Sequence, residues 1–403
     1  MLFLIAWRNL WRNRLRSILI ATSVAIGMWA GAFIIAIYFG MGNGRLRIAI
    51  DHEISHLQVH NPRFGDEQEP QYHFSTDSLR AVLQTIPAIR AFSLRSIATG
   101  MLATASGSQG VQINGVAPSE EQAARQLGSF VREGEYLDTT AKNRILVSSR
   151  LADKMQLRAG QKVVLTFLDT ASNIVSGAFR VCGLYATENA PLDERNVFVL
   201  KANLDELLGI KNRAHEAAVL LQRDGDLDTV YSRLRAMLPG LEVKKWQDIS
   251  PETSLVISSL DSYAIIYIVI ILIALAFGII NTMLMAVIER TREIGVLMAV
   301  GMNKVRVFGM VMLETILLTL VGVPAGLLAA WLCVLWLGKT GIDLSGIAGE
   351  VMRDFGYASV IYPVLPSASI WQIIRLVALT AVLSAVFPAL KALKLKPVEA
   401  IRA

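Results

Sequence analysis

The sequence predicts an α-helical membrane protein with four transmembrane helices and a large α+β extracytoplasmic domain between helices 1 and 2. Three observations carry this. The 403 residues are 53% hydrophobic and only 18% charged, with a mean hydropathy of +0.47, too apolar for a soluble chain of this length. Four runs are long enough to span a bilayer, roughly Ser17–Phe39, Ala264–Ile288, Val305–Leu337 and Trp371–Leu390. The stretch from about Arg45 to Tyr263 has ordinary globular composition and can fill a core of its own.

The first run follows Arg8, Arg12, Arg14 and Arg16. It is longer than the apolar core of a signal peptide, and Gly40, Met41, Gly42 and Asn43 make no A-x-A cleavage site, so it reads as a retained anchor. Before it, Ile5, Leu10, Trp7 and Trp11 set against arginines suggest an amphipathic helix in the headgroup plane over residues 1–16, the plainer alternative being a topogenic charge cluster. Arg290, Arg292, Lys304 and Arg306 separate the second and third runs, and Lys391, Lys394, Lys396 and Arg402 follow the fourth. With four spans all three basic clusters fall on one side, which predicts cytoplasmic termini and an external middle domain. The net charge of +6 is thereby explained without nucleic acid. The third run, about 45 to 50 Å long at 1.5 Å per residue, must tilt, bend at Pro324 or project from the membrane.

The predicted order is span 17–39, external domain 40–263, span 264–288, cytoplasmic loop 289–304, span 305–337, external loop 338–369, span 370–390 and tail 391–403. In the external domain, strand patterns lie at Ile54–Val59, Ile97–Ala105, Val111–Val116, Lys162–Phe167, Phe179–Tyr185 and Val197–Leu200. Helical patterns lie at Thr76–Thr85, Ser119–Leu127, Ser149–Leu157, Asn203–Leu208 and Leu227–Leu238. Leu46–Ile54 and Pro251–Tyr263 continue the first two spans as a stalk. Its apolar residues Ile48, Ile50, Ile54, Leu255, Ile257, Leu260 and Tyr263 are candidates for contact with acyl chains of a substrate.

The loop 289–304 carries Glu289, Arg290, Arg292 and Glu293, each costing several kcal/mol at the hydrocarbon centre. It therefore stays in water. Glu293 sits in the first turn of a short helix with Ile294, Leu297 and Met298 on one face, Gly295 between them and Gly301 as its stop, an apolar stripe with no core of its own. Glu314, two turns into the third span, reads either as a coupling element or as a structural pair with a basic residue, such as one of the N-terminal arginines. Gly27 and Gly31, like Gly322 and Gly326, place small residues one turn apart, for packing within the chain or for a dimer interface. Arg375 snorkels.

HEISH at His52–His56 matches the zincin pattern HExxH. An extended reading of the segment destroys the one-turn geometry, so no metal is expected. Nothing matches GxxxxGK[ST], and no ATP site is expected on this chain. Cys182 and Cys333 lie in a polar and an apolar region and are not expected to pair.

The pattern ERTREIGVLMAVG, followed by a span with Glu314 and GVPAG and a tail with Pro388, Pro397, Glu399, Ala400 and Arg402, resembles the FtsX-like (MacB-type, type VII) permease family of ABC transporters. In layout it is similar to lipoprotein-releasing permease subunits. The resemblance implies that the loop is a coupling helix docking on a separate ATPase, two copies per complex, which brings ATP and Mg while this chain binds no cofactor and is no enzyme. It also implies a homo- or heterodimer in the inner membrane, a β-rich insert at about 131–212, and mechanotransmission for lipoprotein release, with a lipoprotein cargo and a periplasmic carrier or outer-membrane channel as partners. Export of peptides or drugs, or a signal relay to a cell-wall hydrolase, are the alternatives. The loop 338–369 departs from the short turn of many relatives.

Overall fold

The computed structural model describes residues 7, 8, 12, 14–187 and 189–393. Ile5, Leu10, Trp11 and the tail motif from Lys394 to Arg402 lie outside them. Two compact units emerge, one formed by the ends and the last third of the chain, the other by residues 43–257 with 344–359.

The first unit contains four helices long and apolar enough to cross a membrane: Arg14–Ile48, Pro251–Glu289, Lys304–Thr340 and Ser367–Leu393. Each exceeds the apolar run that predicts it, because polar turns at the ends continue the backbone ladder. The third runs through Pro324 without interruption. One core joins Val24, Met28, Ile35, Leu275, Ile279, Val311, Val377 and Ala381. A Cβ on Gly322 would stand 2.7 Å from the Ala21 carbonyl oxygen, and one on Gly326 2.3 Å from that of Ala25. These two glycines thus let the first and third helices meet backbone to backbone. Gly27 faces Leu275 and Gly31 faces Ile271, so all four pack within the chain.

The second unit is α+β. Its strands are β1 (Leu57–His60), β2 (Phe74–Ser75), β3 (Ile89–Ala103), β4 (Ser108–Val116), β5 (Val131–Gly134), β6 (Arg144–Ser148), β7 (Lys162–Leu168), β8 (Ile174–Tyr185), β9 (Asn196–Leu200), β10 (Arg213–Ala214), β11 (Glu216–Leu221) and β12 (Glu242–Lys245). The order β12-β1-β11-β3 makes an antiparallel sheet. Helices Thr76–Gln84 and Leu227–Met237 cover it through Leu79, Leu83, Val230 and Leu234. This is a βαββαβ layer split by a long insertion between its second and third strands.

The insertion closes on itself. The second half of β3 pairs with β4 and β7, β4 with β9, β9 with β6, β6 with β8, and β8 with β7, so six strands form a barrel without free edges. Alternate residues point inward: Val163, Leu165 and Phe167 on β7, Val197 and Val199 on β9, Ile145 and Val147 on β6. The β-rich body accordingly starts near Ser96 on β3, not at Val131, since β3 and β4 supply two of its staves. The expected outer loop 338–369 is also built structure: helix Ser345–Asp354 belongs to the second unit, where Asp354 pairs with Arg150 at 2.7 Å.

The segment Ala49–Ile54 is a π-helical turn, not the start of a strand. His52 is therefore helical, while His56 precedes β1; the expectation of one extended segment fails because the first helix runs on past its apolar portion. Between turn and strand stands Ser55 with φ 64° and ψ −179°, a region that only glycine occupies freely. Its hydroxyl is buried and makes no hydrogen bond. Ser55→Gly is expected to relieve this strain and raise stability by about 1 kcal/mol, read as a higher unfolding midpoint of the purified protein; a lower midpoint would show that the hydroxyl contributes to the joint.

Candidate functional site

The second membrane helix ends at Glu289, and Thr291–Ala299 forms the short helix expected in the loop. Gly301, at φ 101°, ends it in a backbone conformation side chains rarely adopt. Asn303 caps the next helix, its side chain accepting from the Val305 N–H.

The orientation of the loop helix corrects the expected docking stripe. Ile294 is only 4% exposed and joins the membrane-helix core, Gly295 is buried, and Met298 packs on that core with Leu297 half-buried beside it. The stripe does have a core to fill: the ends of its own membrane helices, through Met283, Val287, Val307 and Val311. The opposite face is open, with Arg292, Val296, Ala299 and Val300 exposed, Val300 to 85%.

Charges hold the helix in place. Glu314 is buried, and Arg290 Nη1 reaches its two oxygens at 3.1 and 3.3 Å. This is the structural pair with a basic residue that the sequence allows, and the arginine comes from the adjoining loop, one short helix away. Arg290 Nε also donates to Glu293 Oε2 at 3.1 Å, and Arg12 donates to the other Glu293 oxygen. Burial works to raise the Glu293 carboxyl, but Arg290 and Arg12 outweigh it and hold its pKa below the usual value. Beside the loop helix opens a cavity of about 590 Å³ that reaches round to Arg292 and Val296 on the open face, apolar at Met283, Val287, Met310 and Val311 and charged at Arg12, Arg290, Arg292, Glu293 and Glu314.

In the second unit, a polar joint surrounds the π-turn. Arg45 binds Glu53 through two bonds at 2.9 and 3.2 Å and reaches Thr253 Oγ1 at 3.3 Å, tying the ends of two helices together. His52 Nδ1 donates to the Arg125 carbonyl, and its ring meets Phe130 edge-on at 4.8 Å. From Arg125 the contacts continue inward. Glu121 takes two bonds from Arg95 at 2.9 Å, and Arg95 reaches Glu216 on β11 at 2.6 Å. Arg95 and Glu121 are almost wholly buried; burial favours the neutral acid, yet Arg95 and Arg125 keep the Glu121 pKa low. No single segment pattern in the sequence announces these residues, which lie far apart along the chain.

The other candidates separate. His56 Nε2 donates to Asp224 and its Nδ1 accepts from the Leu221 N–H, whereas His52 turns toward Arg125; among the described residues no cluster of three metal-ligating side chains forms. Of the stalk residues, Ile48, Ile50 and Leu260 are buried, and Ile54 and Ile257 pack around Ile50, Leu220 and Trp246. Only Leu255 and Tyr263 face outward, because the others fill local cores. Cys182 donates to the Ile145 carbonyl and Cys333 accepts from the Trp29 indole. Arg375 is exposed and bonds to the Trp371 carbonyl.

The stretch that holds this loop helix and the last three membrane helices, residues 265–397, matches the family model described as FtsX-like permease C-terminal. This stretch is an FtsX-like permease domain. Across 98% of the chain, the sequence is 23% identical to a macrolide export ATP-binding/permease protein MacB of Bdellovibrio bacteriovorus and 22% identical to an uncharacterized ABC transporter permease of Methanocaldococcus jannaschii. It spans 60% of the length of the first and 96% of the second. The crystal structure of the periplasmic region of MacB from Actinobacillus actinomycetemcomitans, 94% of which is covered, aligns with 53% of this chain at 12% identity and a TM-score of 0.36.

The FtsX-like domain yields a stability test. Arg290→Met removes the ionic partner of a buried carboxylate and is expected to cost about 3–5 kcal/mol. The double variant Arg290→Met with Glu314→Leu is expected to recover most of it. Thermal unfolding in detergent checks this, and equal midpoints for Arg290→Met and the unmodified chain would contradict it.

Proposed function

We propose that this chain is the permease subunit of an ATP-driven ABC transporter of the inner membrane, with both termini and the 289–304 loop cytoplasmic and the α+β domain periplasmic. Two permease subunits assemble with two copies of a separate ATPase, which binds ATP and Mg. The reading rests above all on the loop helix inside the FtsX-like domain, whose inner face is fixed by Ile294 and the Arg290–Glu314 pair while its outer face stays open. Movement of this face on ATP binding passes to the third membrane helix through Glu314 rather than dissipating in a flexible loop. Such coupling needs a rigid lever, and a buried ion pair with a packed apolar face is one.

For the cargo, lipoprotein release is supported by the permease layout and by Leu255 and Tyr263, the apolar stalk residues left exposed. Release of a macrolide-like compound is supported by the printed name of the Bdellovibrio relative. ATP-dependent extraction of a lipidated protein from proteoliposomes, against stimulation of ATP hydrolysis by a macrolide, separates the two.

The docking face is tested by charge. Val300→Asp and Val296→Asp place a carboxylate in an apolar contact and are expected to weaken ATPase association by about 2–4 kcal/mol. The chain itself should fold normally, since both side chains are exposed. Co-purification of the ATPase, with ATP hydrolysis by the complex as the second readout, decides: unchanged association in both variants would make the loop a solvated connector.

A further inference from the structure

The cavity beside the loop helix combines apolar walls with an unbalanced charge. Its three arginines meet two carboxylates, and both carboxylates are already engaged: Glu314 by Arg290, Glu293 by Arg290 and Arg12. Arg292 forms no ion pair among the described residues. Met283, Val287, Met310 and Val311 form the deeper wall. A free phosphate gains nothing from these side chains, and an acyl chain gains nothing from Arg292; a molecule carrying both suits the whole cavity. Basic pockets between membrane helices bind anionic headgroups for this reason.

We propose that the cavity binds an anionic phospholipid, its phosphate on Arg292 with Arg12 alongside and the upper part of an acyl chain against the methionine wall. Bound there, the lipid bridges the loop helix and the second and third membrane helices, and so makes the stiffness of the lever sensitive to membrane composition. The effect on the lever rests on the proposed function, whereas the binding itself does not.

The test is native mass spectrometry of the full-length protein in detergent, titrated with phosphatidylglycerol and, separately, phosphatidylcholine. The unmodified chain is expected to retain phosphatidylglycerol preferentially. Arg292→Gln should reduce this preference about fivefold, the effect of one interfacial basic charge, whereas Arg292→Lys and the distant Arg375→Gln should preserve it. Glycerol phosphate, which has the headgroup charge without acyl chains, should not compete. No preference in the unmodified chain would leave the cavity to the ATPase surface and overturn the proposal. A preference surviving Arg292→Gln, or full competition by glycerol phosphate, would overturn it as well, the latter in favour of a free-phosphate site.

Discussion

Hydrocarbon solvates neither charges nor unpaired backbone, and from this the rest follows. Ionised side chains in the first unit gather at helix ends, and the one buried carboxylate near a span's beginning, Glu314, is matched by Arg290 from the adjoining loop. That match does more than neutralise a charge. It fixes the loop helix against the third membrane helix, with Ile294 as the apolar half of the same contact.

The second unit handles buried charge differently. Where β3 leaves the four-stranded sheet and enters the barrel, Arg95 is enclosed by Glu121 and Glu216 from two other elements. Three segments distant in sequence are thereby held in one register. The helix that carries Glu121 ends at Arg125, whose carbonyl receives His52 from the π-turn. A polar route thus runs from the end of the first long helix into the middle of the sheet, with Ser55 as its strained joint. Discrete polar contacts of this kind have few alternative arrangements, so they hold these segments in one geometry.

Much of this is legible in the sequence, and the failures have physical causes. The spans are legible because length and apolarity suffice to define them. The helices Thr76–Gln84 and Leu227–Met237 are legible from their 3.6-residue period. Strand β11, EAAVLL, is buried at every position and so carries no alternation, while β12 is too polar to stand out. The π-turn is missed because nothing in AIDHEI separates a helical continuation from a strand. The stripe Ile294, Leu297 and Met298 is correctly found but turned the wrong way: periodicity locates an apolar face and does not say whether its partner belongs to the same chain. Ion pairs such as Arg290–Glu314 and Arg95–Glu121 are invisible until the fold brings the residues together.

If the loop helix is the cytoplasmic docking face proposed above, the exposed surface of the second unit must lie on the opposite side of the membrane. In a background lacking Cys182 and Cys333, single cysteines at Val300 and Ile174, both highly exposed, can be labelled in intact spheroplasts with a membrane-impermeant maleimide. The account predicts that the cysteine at 174 reacts at once and the one at 300 reacts only after lysis. Equal labelling of both in intact cells would place loop and domain on the same side and contradict it.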